Sequence, residues 1–375
     1  IEEYGGDVLR VFQTLIMSRN VAVKGRAVIG YGLYNFKKAS PDVLNELFPY
    51  LQSRNTKDVA SASIALGLTY FGHGSEEILD AMRIKFRIST PQALEPLTLG
   101  LGLTYFGTGD KTASDFFLEM IRDRNINRKI YGLYGAGLVY SWAGSDEFLP
   151  TLKMLLMDRN PRIREAAAFA LGLMFLGTDN KGAKDAIRYS LLAERMPLLK
   201  KEMILSYGLI GLGSSNKENI TFMKMFINDR NPQIRDAACR SIGLIGMGKG
   251  NGEIMNALTP LLARRDVASL KSAMMSLGYA FMGTGNSEVL KYCQMMLGER
   301  KPAVVDIATK TLGLLYLGTG DAEATNMLTS LLSARASAQL AGTIFLSLGL
   351  VNMGTENGDV IEMLRSMHPR NPREL

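Results

Sequence analysis

Histidine and cysteine are almost missing from this 375-residue chain, which holds two of each. Histidine is the usual acid–base catalyst near neutral pH. His73 and His368 stand far from each other and from any cysteine or carboxylate cluster, so neither is a catalytic candidate. Cys239 and Cys293 lie 54 residues apart without metal-ligand spacing, which argues against a zinc site or a disulfide framework. They read as small core residues of a reducing compartment, cytoplasmic or nuclear. No metal, no cofactor and no enzymatic activity are expected. Long apolar runs are lacking too. The longest, Leu340 to Val351, is interrupted by Thr343 and Ser347 and falls short of the roughly 18 residues a membrane span needs. No signal peptide is visible. No run of five or six like charges occurs, so the net charge of +7 reads as a mixed, solvated surface and nucleic acid is not the expected partner. The chain opens on Ile1, and its last residues, Pro369 to Leu375, read as the start of one more repeat. It is therefore expected to be a piece of a longer protein.

What the chain does have is glycine, 38 residues of it against twelve prolines, and 47% apolar residues. The glycines are periodic. Gly32, Gly67, Gly102, Gly137, Gly172, Gly208, Gly243, Gly278, Gly313 and Gly349 follow one another at steps of 35 or 36 residues. A second glycine comes five residues after most of these anchors, as at Gly72 and Gly177, but Lys37 and Trp142 take that place in the first and fourth repeats. A third row runs in phase through Arg19, Arg54, Arg124, Arg159, Arg195, Arg230, Arg265, Arg300, Arg335 and Arg370, with Ser89 as its one gap. Three rows in phase define supersecondary repeats that bury their apolar faces only against neighbours. Residues 1–375 are expected to form a single repeat domain, with a partial repeat from Arg370.

Each repeat reads as a helix pair. In Asp158-Arg159-Asn160-Pro161, asparagine is an N-cap candidate and proline fits the first helical position. A helix is expected from there to Leu176, ended by Gly177 in the left-handed conformation. A turn then leads to an amphipathic outer helix, clearest over residues 287–297. The glycine-bearing helix is apolar almost all round, as Ile64, Leu66, Leu68, Tyr70 and Phe71 show, and is expected to be sandwiched as an inner layer. A mid-helix glycine costs about 1 kcal/mol relative to alanine. Close backbone approach would offset that cost and curve the array.

The runs Ala65-Leu66-Gly67-Leu68-Thr69-Tyr70-Phe71-Gly72, Leu101 to Gly109 and Leu312 to Gly320 resemble proteasome/cyclosome repeats. Those occur in the large non-ATPase scaffold subunits of the proteasome regulatory particle and in the largest subunit of the anaphase-promoting complex. The resemblance implies an all-α toroid of ten to eleven helix pairs, closed or nearly so. It also implies a non-catalytic scaffold within a larger complex, binding other proteins such as ubiquitin-like domains or ATPase subunits. Segments such as Asp158 to Ala167 and Asp229 to Ala238 look equally like HEAT repeats, which leaves an open superhelix as the alternative architecture. In that alternative the chain is an adaptor binding nucleic acid or acidic partners through its arginine row.

Two sets of side chains are candidates for more than packing. Tyr70, Tyr105, Tyr140, Phe175, Phe281 and Tyr316 stand three residues after their anchors. They form either a partner-binding stripe or an inter-repeat core. Gly211 and Gly246 interrupt the row and predict a notch there. The arginines, several preceded by Asp or Glu, suit the ends of outer helices, where a cation favours the dipole and can bond free carbonyls. They are expected to stitch neighbouring repeats. Two glycine-rich stretches, residues 107–112 and 246–252, faintly resemble nucleotide loops but follow helices, not strands, and read as repeat turns.

Overall fold

The computed structural model describes residues 2–88, 90–264, 266–333 and 338–366, and over them it contains 21 α-helices and no strand. The chain divides into two compact blocks, Ile1–Glu194 and Arg195–Leu375. In both, two kinds of helix alternate. Anchor helices of 14 residues carry the periodic glycines. In the first block they are α2 (Val21–Tyr34), α4 (Thr56–Thr69), α6 (Pro91–Thr104), α8 (Ile126–Val139) and α10 (Pro161–Met174). In the second they are α12 (Pro197–Ile210), α14 (Pro232–Ile245), α16 (Val267–Ala280), α18 (Pro302–Leu315) and α20 (Ala338–Val351). Companion helices run between them: α1 (Glu2–Ile16), α3 (Pro41–Gln52), α5 (Glu76–Ile88), α7 (Lys111–Arg122), α9 (Leu149–Leu155) and α11 (Lys181–Ala193) in the first block, then α13 (Lys217–Lys224), α15 (Gly252–Leu262), α17 (Ser287–Leu297), α19 (Ala322–Ser333) and α21 (Gly358–Ser366) in the second. Within a block, each anchor helix packs on the anchor helices before and after it and on a companion.

The start of an anchor helix is set by a short polar code. Asn20, Asn55, Asn125, Asn160 and Asn231 each accept a bond from a backbone N–H of the first turn, which satisfies donors the helix cannot. Their own N–H groups are held in turn by Ser18, Ser53, Asp123, Asp158 and Asp229, at 2.7 to 3.2 Å. Asp123, Asp158 and Asp229, the acidic residues before Arg124, Arg159 and Arg230, are thus spent on the cap.

The end of the helix is satisfied from outside. α10 stops at Met174, two residues earlier than expected, because Phe175 has left helical geometry. The turn that follows takes a left-handed residue, Gly72 at φ +68° for example, and Lys37 and Trp142 adopt the same conformation at +60° and +64°. In most of these turns two N–H groups then reach the last carbonyls of the next anchor helix of the block. Gly72 bonds Leu103 O at 3.1 Å and Gly74 bonds Thr104 O at 2.9 Å, and the pattern recurs from Gly107 and Gly109 to Leu138 and Val139. In the second block it joins Gly283 and Gly285 to Leu314 and Leu315. Within a block, most repeats therefore cap their successors.

The anchor glycines sit where the expectation put them. A Cβ on Gly67 would lie 2.5 Å from the carbonyl oxygen of Gly100 in α6, and one on Gly243 would lie 2.7 Å from that of Ser276 in α16. No side chain fits between backbones that close. One residue before the anchors, Leu66, Leu101, Leu171, Ile242, Leu277 and Leu312 are fully buried. This row is the spine of the core in each block.

Candidate interaction site

The aromatic row is core. Tyr70, Tyr105, Phe175, Phe281 and Tyr316 expose between 2% and 9% of their surface, and Tyr140 is half-buried. Each of the last five rings in sequence after Tyr70 lies over a glycine of the preceding turn: Tyr105 on Gly74, Tyr140 on Gly109, Phe175 on Gly144, Phe281 on Gly250 and Tyr316 on Gly285. A ring covered in this way has nothing to offer a partner, so the row is not a binding stripe. Burial, with nearby carboxylates, raises the ionisation ranges of the Tyr70, Tyr105 and Tyr316 phenols. The predicted notch is absent as well. The volume beside Gly246 is filled by Ile254 and Ala280, and that beside Gly211 by Asn219 and Ile245.

The exposed apolar surface lies on another side of the anchor helices. They are enclosed by neighbouring anchor helices and a companion, but one stripe stays open, so they are not sandwiched all round. In the first block that stripe holds a residue three before each anchor (Ile29, Ile64, Leu99, Tyr134, Phe169) and one just after it (Leu33, Leu68, Leu103, Leu138, Leu173). These positions share a helix face because they are four residues apart. All are partly or fully exposed, Leu33 by 60%, Leu99 by 39% and Phe169 by 37%. The stripe continues onto the turns through Phe36, Phe71, Phe106 and Trp142, whose ring centroids follow one another at 5.3, 4.8 and 5.5 Å. Five repeats side by side thus present one contiguous apolar face, which on a protein surface marks a binding region. In the second block charge breaks the corresponding row, with Arg240 and Lys310 among Leu205, Met275 and Leu346.

The arginine row lies elsewhere than expected. Arg54, Arg124, Arg159, Arg230 and Arg300 do not end companion helices. They occupy the residue just before the N-cap of the next anchor helix, and with Arg19 they are exposed. Among the described residues none of these six side chains makes a hydrogen bond or ion pair. Stitching falls to other groups. Arg164 Nη1 bonds the carbonyls of Asp158 and Arg159 while its Nε holds Glu194 at 2.9 Å, and Arg235 does the same for the carbonyls of Asp229 and Arg230. Arg195 is also exposed, and Arg265, Arg335 and Arg370 lie outside the described residues.

Placed on the fold, the mixed charges of the first block separate by edge. The junctions into its anchor helices gather cations: Arg19 and Arg26, Arg54 and Lys57, Arg124 and Lys129, Arg159 and Arg162. The turns at the opposite helix ends lead into carboxylates: Asp42 and Glu46, Glu76 and Glu77, Asp110 and Asp115, Asp146 and Glu147. A 14-residue helix separates the edges by about 21 Å, beyond the roughly 8 Å over which physiological salt screens charge.

The remaining reactive groups are isolated. Burial pushes the Cys239 and Cys293 thiols up to about 12, with Asp236 adding to the effect at Cys239. His73 is exposed in a turn beside the carbonyl of Phe71, and His368 lies outside the described residues. No group of three or more potential metal ligands occurs among the described residues. No helix there is long and apolar enough to cross a membrane. The N–H groups of Gly107 and Gly109, and of Gly248 and Gly250, are committed to the next anchor helix, so these glycine-rich turns cradle carbonyl ends and not phosphates. A groove of about 560 Å³ between α15, α16, α17 and α18 is lined by Leu262, Val267, Leu270, Tyr292, Met295 and Val304.

A family model matches this chain over one short stretch. Residues 148–176 fit the HEAT repeat, a span that takes in one companion helix, α9, and the anchor helix after it, α10. A solved structure of an engineered protein aligns with 93% of this chain and 99% of its own at 16% identity and a TM-score of 0.35. No curated protein matches the chain. Over that one stretch the chain resembles a HEAT repeat, and over the described residues it is an all-helical repeat array.

Proposed function

We propose that the chain is a non-catalytic scaffold that binds a protein partner across the open face of the anchor helices in its first block. The observation that carries this reading is the contiguous apolar stripe from Leu33 to Leu173, extended by the ring row from Phe36 to Trp142. Protein partners cover such faces, and their aromatic residues supply much of the binding energy.

The resemblance to proteasome/cyclosome repeats supports a narrower version. In it, Ile1 to Leu375 is one repeat domain of a ring, seated in a proteasome-like or ubiquitin-ligase-like assembly, and the partners are ubiquitin-like domains or ATPase subunits.

A pull-down on the immobilised full chain tests both levels, using purified ubiquitin-like domains and proteasomal ATPases. Capture that is lost in the doubly substituted Leu103→Asp, Phe169→Asp chain supports the face and the partner class together. Both sites are partly exposed, so a thermal melt serves to confirm that the variant still folds. Undiminished capture would move the site off this face, and no capture of either probe would sink the proteasome-type reading.

A further inference from the structure

The cations on the junction edge of the first block are more than a solvated rim. The carboxylates along that edge are largely spoken for. Asp58 is held by Lys24 at 2.9 Å, Asp123 by Arg128 at 3.1 Å and by the cap of α8, and Asp158 by the cap of α10. Arg26, Arg54, Lys57, Arg124, Lys129 and Arg159 are left with no carboxylate partner among the described residues. They recur at the junctions into α2, α4, α8 and α10, whereas the junction into α6 holds no such pair. Neighbouring helices pack about 8–10 Å apart, and an extended chain advances about 3.3 Å per residue with its side chains alternating between faces, so about three residues of a strand laid across the junctions span one repeat, and at least one of their side chains faces each junction.

We propose that this edge is a receptor strip for an extended acidic polypeptide segment of the partner. The inference rests on the scaffold reading and specifies the partner's chemistry and the direction in which it lies. One observation favours polypeptide over nucleic acid. The row of neighbouring exposed rings that could hold bases lies at the other edge, about 21 Å away and among carboxylates.

The test measures fluorescence anisotropy of the full chain with a fluorescein-labelled dodecaglutamate peptide and, separately, with an oligothymidylate of similar length. The expected result is peptide binding that weakens steeply with salt and falls about tenfold when Arg54, Lys57, Arg124 and Arg159 are all changed to Gln. Changing Lys37, Lys38, Lys111 and Lys181 on the opposite edge to Gln removes the same charge and should alter affinity less than about twofold. Equal losses in the two variants would reduce the effect to net charge and overturn the proposal. Tighter binding of the oligothymidylate would make the edge a phosphate surface. Salt-sensitive self-association in sedimentation, not reversed by excess peptide, would assign the edge to the acidic turns of a second copy. The Leu103→Asp, Phe169→Asp chain keeps these cations, so peptide binding in that variant separates failure of the strip from failure of the apolar face.

Discussion

A glycine anchor has the same sequence role in all ten repeats but not the same surroundings. At Gly67 a methyl group would meet the backbone of α6, and overpacking of that kind costs about 1–3 kcal/mol. At Gly349 no atom of the described residues lies within 4 Å, so alanine there should recover most of the helix-propensity penalty, about 1 kcal/mol. Gly67→Ala is expected to lower the thermal midpoint and Gly349→Ala to raise it. Two shifts of the same sign would refute the close-approach explanation. The positions of these residues were legible in the sequence because period alone locates them. The roles of others were not. The row at Tyr105 and Phe281 looked as available as it looked apolar, since what covers each ring is a glycine about thirty residues earlier, with no side chain to advertise it.

Helix starts were readable, because asparagine, sometimes followed by proline, is a local code. Helix ends were half readable. The left-handed glycine announced the turn, whereas the bonds from Gly72 and Gly74 to α6 depend on a neighbour no local pattern names. The displacement of the arginines from helix ends to the residue before the next cap has the same origin. Asp158 and Asp229 looked like charge partners until their oxygens were found on the caps of α10 and α14. This end-of-helix packing also sets a pH response. Burial raises the ionisation of Tyr70, Tyr105 and Tyr316, so the folded state holds their protons more tightly than the unfolded chain. Stability from this source is complete below the ordinary tyrosine range near 10 and is lost as pH climbs through the raised values. An alkaline titration following phenolate absorbance and helical ellipticity should show these tyrosines ionising late, together with loss of helix. Ionisation of all 14 tyrosines as one ordinary class, with helix intact, would contradict their placement.

At the scale of the molecule, composition gave a mixed charge, and in the first block the fold sorted it, because there the junctions fall on one edge and the turns on the other. That separation is invisible to any count of like-charged runs. Contacts between adjacent repeats dominate the packing, which makes stability a sum of local terms. Hydrogen exchange on the Gly67→Ala chain should therefore show protection lost in α4 and α6 while α16 and α18 keep theirs. Uniform loss over all four helices would mean the array unfolds as one cooperative body. The bonds from each turn to the following anchor helix add a direction to this locality. During synthesis an emerging anchor helix meets N–H donors already fixed by the repeat before it, and its own turn then waits, open, for the next. Within each block the seam can therefore be closed stitch by stitch in the order in which the ribosome makes the chain.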